Sequence, residues 1–295
     1  MENKKVLGNL AALTTNLIFG FSFLFSKIAL DHAHPLILLS LRFSIAFLCL
    51  NILWFFKAIK ISFKGKPKKR LLLMALAQPL CYYIFELYGI KNTSSALSGV
   101  IISLVPIAVI VISNIFLKEK ASKREWMFAL LSLCGVALIS IISGTDTKST
   151  LIGILLLIGA VISSAFFNIL SRGESKHYRP EERSYIIFLV GCIGFTLISL
   201  LALRENYVHE LSRAVTSTEM WGSMIYLAVI SSVVAFLLYN YATSHISSVK
   251  VASYSNLITV VSVLAGTLIL KESMSFVELI CCIIIVIGVI GANRS

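Results

Sequence analysis

The chain has 295 residues, 58% of them hydrophobic and only 14% charged, with a formal net charge of +12. Soluble domains carry about 25% charged residues, so this composition excludes a soluble globular protein, and the positive charge is not read as a nucleic-acid surface. Apolar runs recur at close to the roughly 20 residues that a helix needs to cross a bilayer, and they are continuous rather than alternating, which excludes a transmembrane β-barrel.

Ten spans fit the chain, at about 7–29, 36–56, 71–90, 95–117, 126–142, 151–171, 184–203, 220–243, 248–270 and 276–292. The first carries Asn16, Phe19 and Phe23 at i, i+3 and i+7, on one helical face. Arg42 lies within the second, and the third holds Pro79, Tyr82, Tyr83 and Glu86. Pro106 sits mid-span in the fourth, below a smooth stretch with Gly99 and Ser94, Ser95, Ser98 and Ser103. Both prolines are expected to kink their helices, because proline removes a backbone donor. The sixth span carries Ser164 and Asn168, and the mixed-charge stretch 204–219 reads as a solvated insert. Tyr239, Asn240 and Tyr241 follow in the eighth span, and Ser253, Tyr254 and Asn256 in the ninth.

The chain repeats itself. Shifted by 153 residues, Tyr88–Ile139 falls on Tyr241–Ala292 without a gap: Ser94-Ser95 on Ser247-Ser248, Leu104 on Leu257, Leu117-Lys118-Glu119 on Leu270-Lys271-Glu272, Gly135-Val136 on Gly288-Val289. A weaker upstream match at a shift of 145 sets Phe21 on Phe166 and Ser26-Lys27 on Ser171-Arg172. The halves are residues 1–143 and 150–295, joined near Gly144–Thr150. Five spans per half is an odd number, so the second half enters the membrane in the opposite sense. The sequence therefore predicts an all-α polytopic membrane protein of ten transmembrane helices in two inverted five-helix repeats, a hallmark of secondary transporters. Spans four and nine are expected to face each other near the pseudo-symmetry axis.

Lys and Arg set the orientation. Eighteen lie at the two ends and in the even-numbered loops, seven of them in 57–70, against six at the odd-numbered loops. Both termini are thus expected in the cytoplasm, in a multi-pass protein of the cell membrane. The first apolar run is too long for a cleavable signal peptide. The six cysteines (Cys49, Cys81, Cys134, Cys192, Cys281 and Cys282) lie in apolar runs without ligand spacing and read as small core residues, with no disulfide, metal or cofactor implied. No phosphate-binding loop, His-Glu-x-x-His or Gly-x-Ser-x-Gly occurs, so nothing points to an enzyme.

Charged and strongly polar residues inside a span are costly and each needs a reason. Arg42 and Glu86 lie at matched depth on neighbouring spans. Two readings stand: they neutralise each other and fix helix register, or Glu86 binds a substrate amine or carries a coupling proton. The amides and phenols on five spans suit a zwitterionic or partly aromatic solute, although each alone is equally well explained as interhelical glue.

With those residues in view, the chain resembles the drug/metabolite transporter superfamily, in its EamA branch. The resemblance rests on the doubled five-span plan, Tyr88-Gly89-Ile90-Lys91-Asn92-Thr93-Ser94-Ser95-Ala96, Pro106, Leu117-Lys118-Glu119-Lys120, Gly135-Val136, Phe19-Gly20 and Arg42-Phe43. It implies secondary transport by alternating access around a cavity lined by spans one, three, four, six, eight and nine, with the short helices as scaffold and dimer face. The family commonly has Trp where Phe19 stands, so an indole N–H contact is absent here. Small polar metabolites such as amino acids, moved outward, are the expected cargo. From the polar residues themselves, Glu86 not being a feature carried over from the family, substrate contacts are assigned to Asn16, Phe19, Phe23, Tyr82, Tyr83, Glu86, Asn168, Tyr239, Asn240, Tyr254 and Asn256. Arg42, Glu86 and Pro106 have structural or coupling roles, and protons through Glu86 are the coupling ion unless there is none. A lipid or nucleotide-sugar carrier of the same architecture, or a non-transporting binding subunit, are the competing readings.

Overall fold

Long apolar sequences with only five prolines in the chain leave the backbone one way to satisfy its own hydrogen bonds in a bilayer, the helix. The computed structural model describes residues 2–92, 101–143, 151–269 and 275–293, and among them it contains helices and no strand. The first span is Glu2–Leu30, the second Pro35–Phe55, and the third Lys68–Ala75 continued through a widened π turn, Leu76–Cys81, into Tyr82–Lys91. The described part of the fourth includes Val105–Phe116, and the fifth is Lys123–Ser143. Leu151–Glu174 and Pro180–Leu203 are the sixth and seventh. The eighth runs Thr218–Ile225, a π turn Tyr226–Val234, and Ala235–His245. The ninth is Ser248–Ser253, a 3-10 turn Tyr254–Asn256, and Leu257–Ile269; the tenth is Phe276–Asn293. Eight of these are long and apolar enough to cross a membrane, and Val105–Phe116 is a shorter apolar helix. The protein is a multi-pass helical membrane protein.

The repeat is visible in three dimensions. The first span packs on the eighth and ninth, as the sixth packs on the third and fourth. The second packs on the seventh, and the fifth on the tenth. The fifth and tenth open on the same capping box: Ser122 and Glu125 exchange backbone-to-side-chain bonds of 2.7 and 3.2 Å, and Ser275 and Glu278 repeat them at 2.7 and 3.2 Å. Their crossing is close because glycine faces backbone on both sides. A Cβ on Gly135 would stand 3.1 Å from the Cys281 carbonyl oxygen, and one on Gly288 would stand 2.9 Å from that of Phe128.

Helix breaks are paired in the same way. The π turns of the third and eighth spans occupy overlapping repeat positions. Gln78 leaves helical geometry, at φ −141° and ψ 120°, ahead of a cis bond to Pro79. In the fourth span the expected kink at Pro106 is a break: Ser103 and Leu104 form a turn and Pro106 sits in the first turn of a new helix. The ninth breaks at Tyr254–Asn256, next to the equivalent position.

Two expectations change. The stretch 204–219 is largely solvated, as read, but it is also helical. Arg204–Asn206 forms a 3-10 turn and Tyr207–Thr216 a helix whose Ala214 is fully buried, with Tyr207 and Leu211 against Met220, Met224 and Ala29. Tyr207, Leu211 and Ala214, at i, i+4 and i+7, make this an amphipathic helix laid against the second and seventh spans. The cysteines are also not uniformly core: Cys281 and Cys282 are buried between spans five and ten, but Cys134 is exposed. Spans four and nine do touch, Ser248–Ser253 lying against Val105–Phe116. The stretch Thr93–Val100, the join at Gly144–Thr150 and Lys271-Glu272 lie outside the described residues.

Candidate functional site

The third span shows which of its faces looks inward. Phe85 and Gly89 lie over Gly159 and Leu157 of the sixth span, and Leu80 and Tyr83 over Gly194 and Phe195 of the seventh. At 100° per residue, Tyr82 and Glu86 project from the arc between those two contact lines, whereas Tyr88, on the far side, is exposed. The Tyr82 hydroxyl donates to Glu86 Oε1 at 2.7 Å, an i to i+4 bond on that face. Tyr82 and Tyr83 are set edge to face at 5.2 Å, and Phe43 of the second span meets Tyr83 at 5.7 Å.

Arg42 comes to the same place from the second span, but not to pair with Glu86. Its Nε donates to Ser232 Oγ and its Nη2 to Ser231 Oγ, each at 2.9 Å. Ser231 also bonds Ser22 of the first span at 2.5 Å. The guanidinium stands 5.7 Å from the Tyr83 ring centroid, a cation–π contact. The self-neutralising pair, one of the two readings of the sequence, does not form; two hydroxyls on the π turn of the eighth span hold the guanidinium instead. Ser22, Ser231 and Ser232 were not legible as site residues; serine in a span is too common to single out.

Below lies an aromatic layer. Phe19 meets Phe236 edge to face at 5.8 Å, and Tyr239 stacks on Phe167 at 5.3 Å. Asn168 is buried beside it, and its Oδ1 has no hydrogen-bond partner.

The other expected contacts are engaged within the protein. Asn16 donates to the Ala12 carbonyl of its own helix at 2.7 Å. Asn256 donates to Ser132 Oγ at 2.7 Å, and Tyr254 to Asn9 Oδ1 at 3.2 Å. Asn240 is fully buried, accepting from Ser171 Oγ and donating to Ser184 Oγ. The Phe23 side chain lies outside the described residues.

Asn240 belongs to a hub around Arg183. Arg183 counted above as a loop charge, yet it is fully buried. Its Nη1 donates to the Ser171 carbonyl, Ser171 Oγ and Thr243 Oγ1, and its Nη2 to the Asn240 carbonyl and Ser244 Oγ. Position hid it: a basic residue at a span end is accounted for by topology alone. Nearby, Glu182 is buried and accepts from Ser62 N, Arg179 N and Lys66 Nζ, tying the basic loop to the seventh span.

A lighter clasp joins the halves at this lysine- and arginine-rich end. Arg172 Nε donates to Glu119 Oε1 at 3.2 Å and its Nη1 to the Thr243 carbonyl at 3.0 Å, while Glu119 Oε2 accepts from Ser248 N at 3.1 Å. Arg172 and Glu119 are each about a quarter exposed. A double-mutant cycle with Glu119→Gln and Arg172→Gln, read by thermal unfolding, is expected to give a coupling of about 0.3–1 kcal/mol that shrinks with added salt. A salt-independent coupling would mean the clasp is more deeply desolvated than its exposure indicates.

Among the described residues no cluster of three or more His, Cys, Asp or Glu side chains could hold a metal ion. The arrangement is thus a doubled helical bundle with broken helices and a polar, aromatic interior, the architecture of a membrane carrier. The sequence profile of the EamA-like transporter family matches residues 6–141 and again 151–294, and the chain belongs to that family. It is similar to the uncharacterized transporter YcxC of Bacillus subtilis, 33% identical over 99% of this chain and 95% of that one. It is 23% identical to a probable amino-acid metabolite efflux pump of Salmonella typhimurium, over 94% of this chain and 91% of that one. A chain of one solved crystal structure superposes with a TM-score of 0.81 at 16% identity, over 97% of this chain and 96% of that one, a likeness of fold.

Proposed function

We propose that this protein is a secondary transporter that carries small polar metabolites, amino acids or related compounds, out of the cell by alternating access. The observation that carries this reading is the doubled helix break. Spans three and eight widen at overlapping repeat positions, and spans four and nine break at adjoining ones, next to the polar interior. Irregular backbone at membrane depth is tolerated where it is buried in protein or lines a cavity, and matched breaks in two inverted halves supply two pseudo-equivalent gates. The name of the Salmonella relative supports amino-acid cargo and outward direction.

The lining we assign comprises Phe19, Tyr82, Tyr83, Glu86, Asn168 and Tyr239, with Arg42 at its edge. Asn16, Asn240, Asn256 and Tyr254 act through the protein contacts described above. Rocking of residues 1–143 against 150–295 about the breaks, with Pro106 at one of them, exposes this lining to each side in turn, and both termini lie in the cytoplasm. Glu86 is the proposed proton carrier. In proteoliposomes loaded with radiolabelled amino acids, the protein is expected to release one chemical class, and an imposed proton gradient is expected to drive that release. Glu86→Gln is expected to abolish the gradient dependence. Release that is absent for every amino acid, with the protein folded, would overturn the cargo. Gradient-driven release that survives Glu86→Gln would remove the proton from this residue.

A further inference from the structure

Among the described residues, neither Arg42 nor Glu86 has an ion-pair partner within 4.0 Å. Arg42 is 6% exposed and its hydrogen bonds go to two neutral hydroxyls, leaving Nη1 without an acceptor. Among the described residues Glu86 has one side-chain hydrogen bond, from the Tyr82 hydroxyl to Oε1, and its Oε2 has no donor. No nitrogen of the one comes within 4.0 Å of an oxygen of the other. A charge inside a span is normally closed by a partner, and a direct pair would serve helix register at lower cost. Instead each is held by neutral partners, Arg42 by Ser231 and Ser232 and Glu86 by Tyr82, with the Tyr83 ring beside both Arg42 and Tyr82. Arg183 makes the contrast: it is as deeply buried, but both of its terminal nitrogens are occupied by protein acceptors, and only its buried Nε has no partner among the described residues.

We propose that Arg42 and Glu86 are a split charge pair completed by the substrate, which therefore carries both an anionic and a cationic group. The guanidinium fork takes the substrate carboxylate through Nη1, and Glu86 Oε2 takes its ammonium. The inference rests on the transport reading above and narrows it to zwitterions, with Arg42 as a specificity-determining residue. A guanidinium suits this role because its planar fork matches a carboxylate and keeps its charge at every working pH. A singly charged solute leaves one of the two charges unmatched and a neutral solute leaves both, which is the stronger source of discrimination.

The test is equilibrium binding to the full chain in lipid nanodiscs. The probes are the free L-amino acids, their methyl esters, which lack the anion, and their N-acetyl derivatives, which lack the cation. At least one free amino acid is expected to bind, with its ester and N-acetyl forms weaker by about tenfold or more. Arg42→Gln is expected to erase the difference in affinity between the free amino acid and its ester, and Glu86→Gln to erase that between the free amino acid and its N-acetyl form. Arg42→Lys, which keeps the charge, is expected to fall between. Should Arg42→Gln fail to fold, the wild-type ester and N-acetyl comparison and Arg42→Lys decide the matter. Esters that bind as tightly as acids, an Arg42→Gln protein that binds the amino acid like wild type, or binding by none of the amino acids would each overturn the proposal. The transport reading fails separately: vesicles that move a neutral or singly charged solute keep transport and lose the zwitterion, whereas vesicles that move no solute lose both.

Discussion

Replacing Arg183 with methionine is expected to lower the stability of the purified protein by about 2–4 kcal/mol, read as a fall in its thermal unfolding midpoint in detergent. Two effects oppose each other. Removing a buried cation relieves a desolvation cost, and methionine refills much of the volume. Against that, the two terminal nitrogens donate to two backbone carbonyls and three hydroxyls on the sixth and eighth spans. Hydrogen bonds from a charged donor contribute more than neutral ones, about 1.5–3 kcal/mol each before that cost is set against them, and the hydroxyls have few replacement donors in a site with no exposure. The lost bonds win. Arg183→Lys keeps the charge but not the fork, so a compact ammonium cannot serve acceptors on two spans at once and an intermediate fall is expected. An unchanged midpoint in the methionine variant would mean that the hub contributes nothing net.

Gly288→Val is expected to cost at least about 1–3 kcal/mol by overpacking. The added Cβ alone would stand 2.7 Å from Ser132 Cβ and 2.9 Å from both the Phe128 carbonyl oxygen and the Ser132 nitrogen. Those are backbone and near-backbone atoms of a facing helix, so no side-chain rotation relieves the contact and the fifth and tenth spans must separate. Gly222→Ala is the control, since nothing lies within 4 Å of its Cβ position. Within a helix that change is expected to be neutral or stabilising by up to about 1 kcal/mol. Equal midpoints for the two variants would show that the crossing yields without penalty.

Much of the plan was legible along the chain because a bilayer imposes length and hydropathy on every span. The doubled register of Leu117-Lys118-Glu119 and Gly135-Val136 then gave two halves, and the structure bears this out in the twin capping boxes and the symmetric contacts of Gly135 and Gly288. Proline placement announced the breaks near Pro79 and Pro106. Less was legible at the interior. Asn240 and Asn256 have the same composition and helical spacing as any lining residue, yet both are spent on protein partners. The helix Tyr207–Thr216 was missed because its mixed charge hides a short apolar face.

What the sequence alone determined was the membrane class, the all-helical fold and its repeat, since these depend on local composition and on periodicity. Only the tertiary structure decided where the charges go. Arg42 meets Ser231 and Ser232 across 189 and 190 residues of chain, and Arg183 vanishes into a hub that its place at a span end conceals. Such pairings depend on the rotation and offset of helices packed against each other, and a wheel drawn for one helix holds no information about its neighbour.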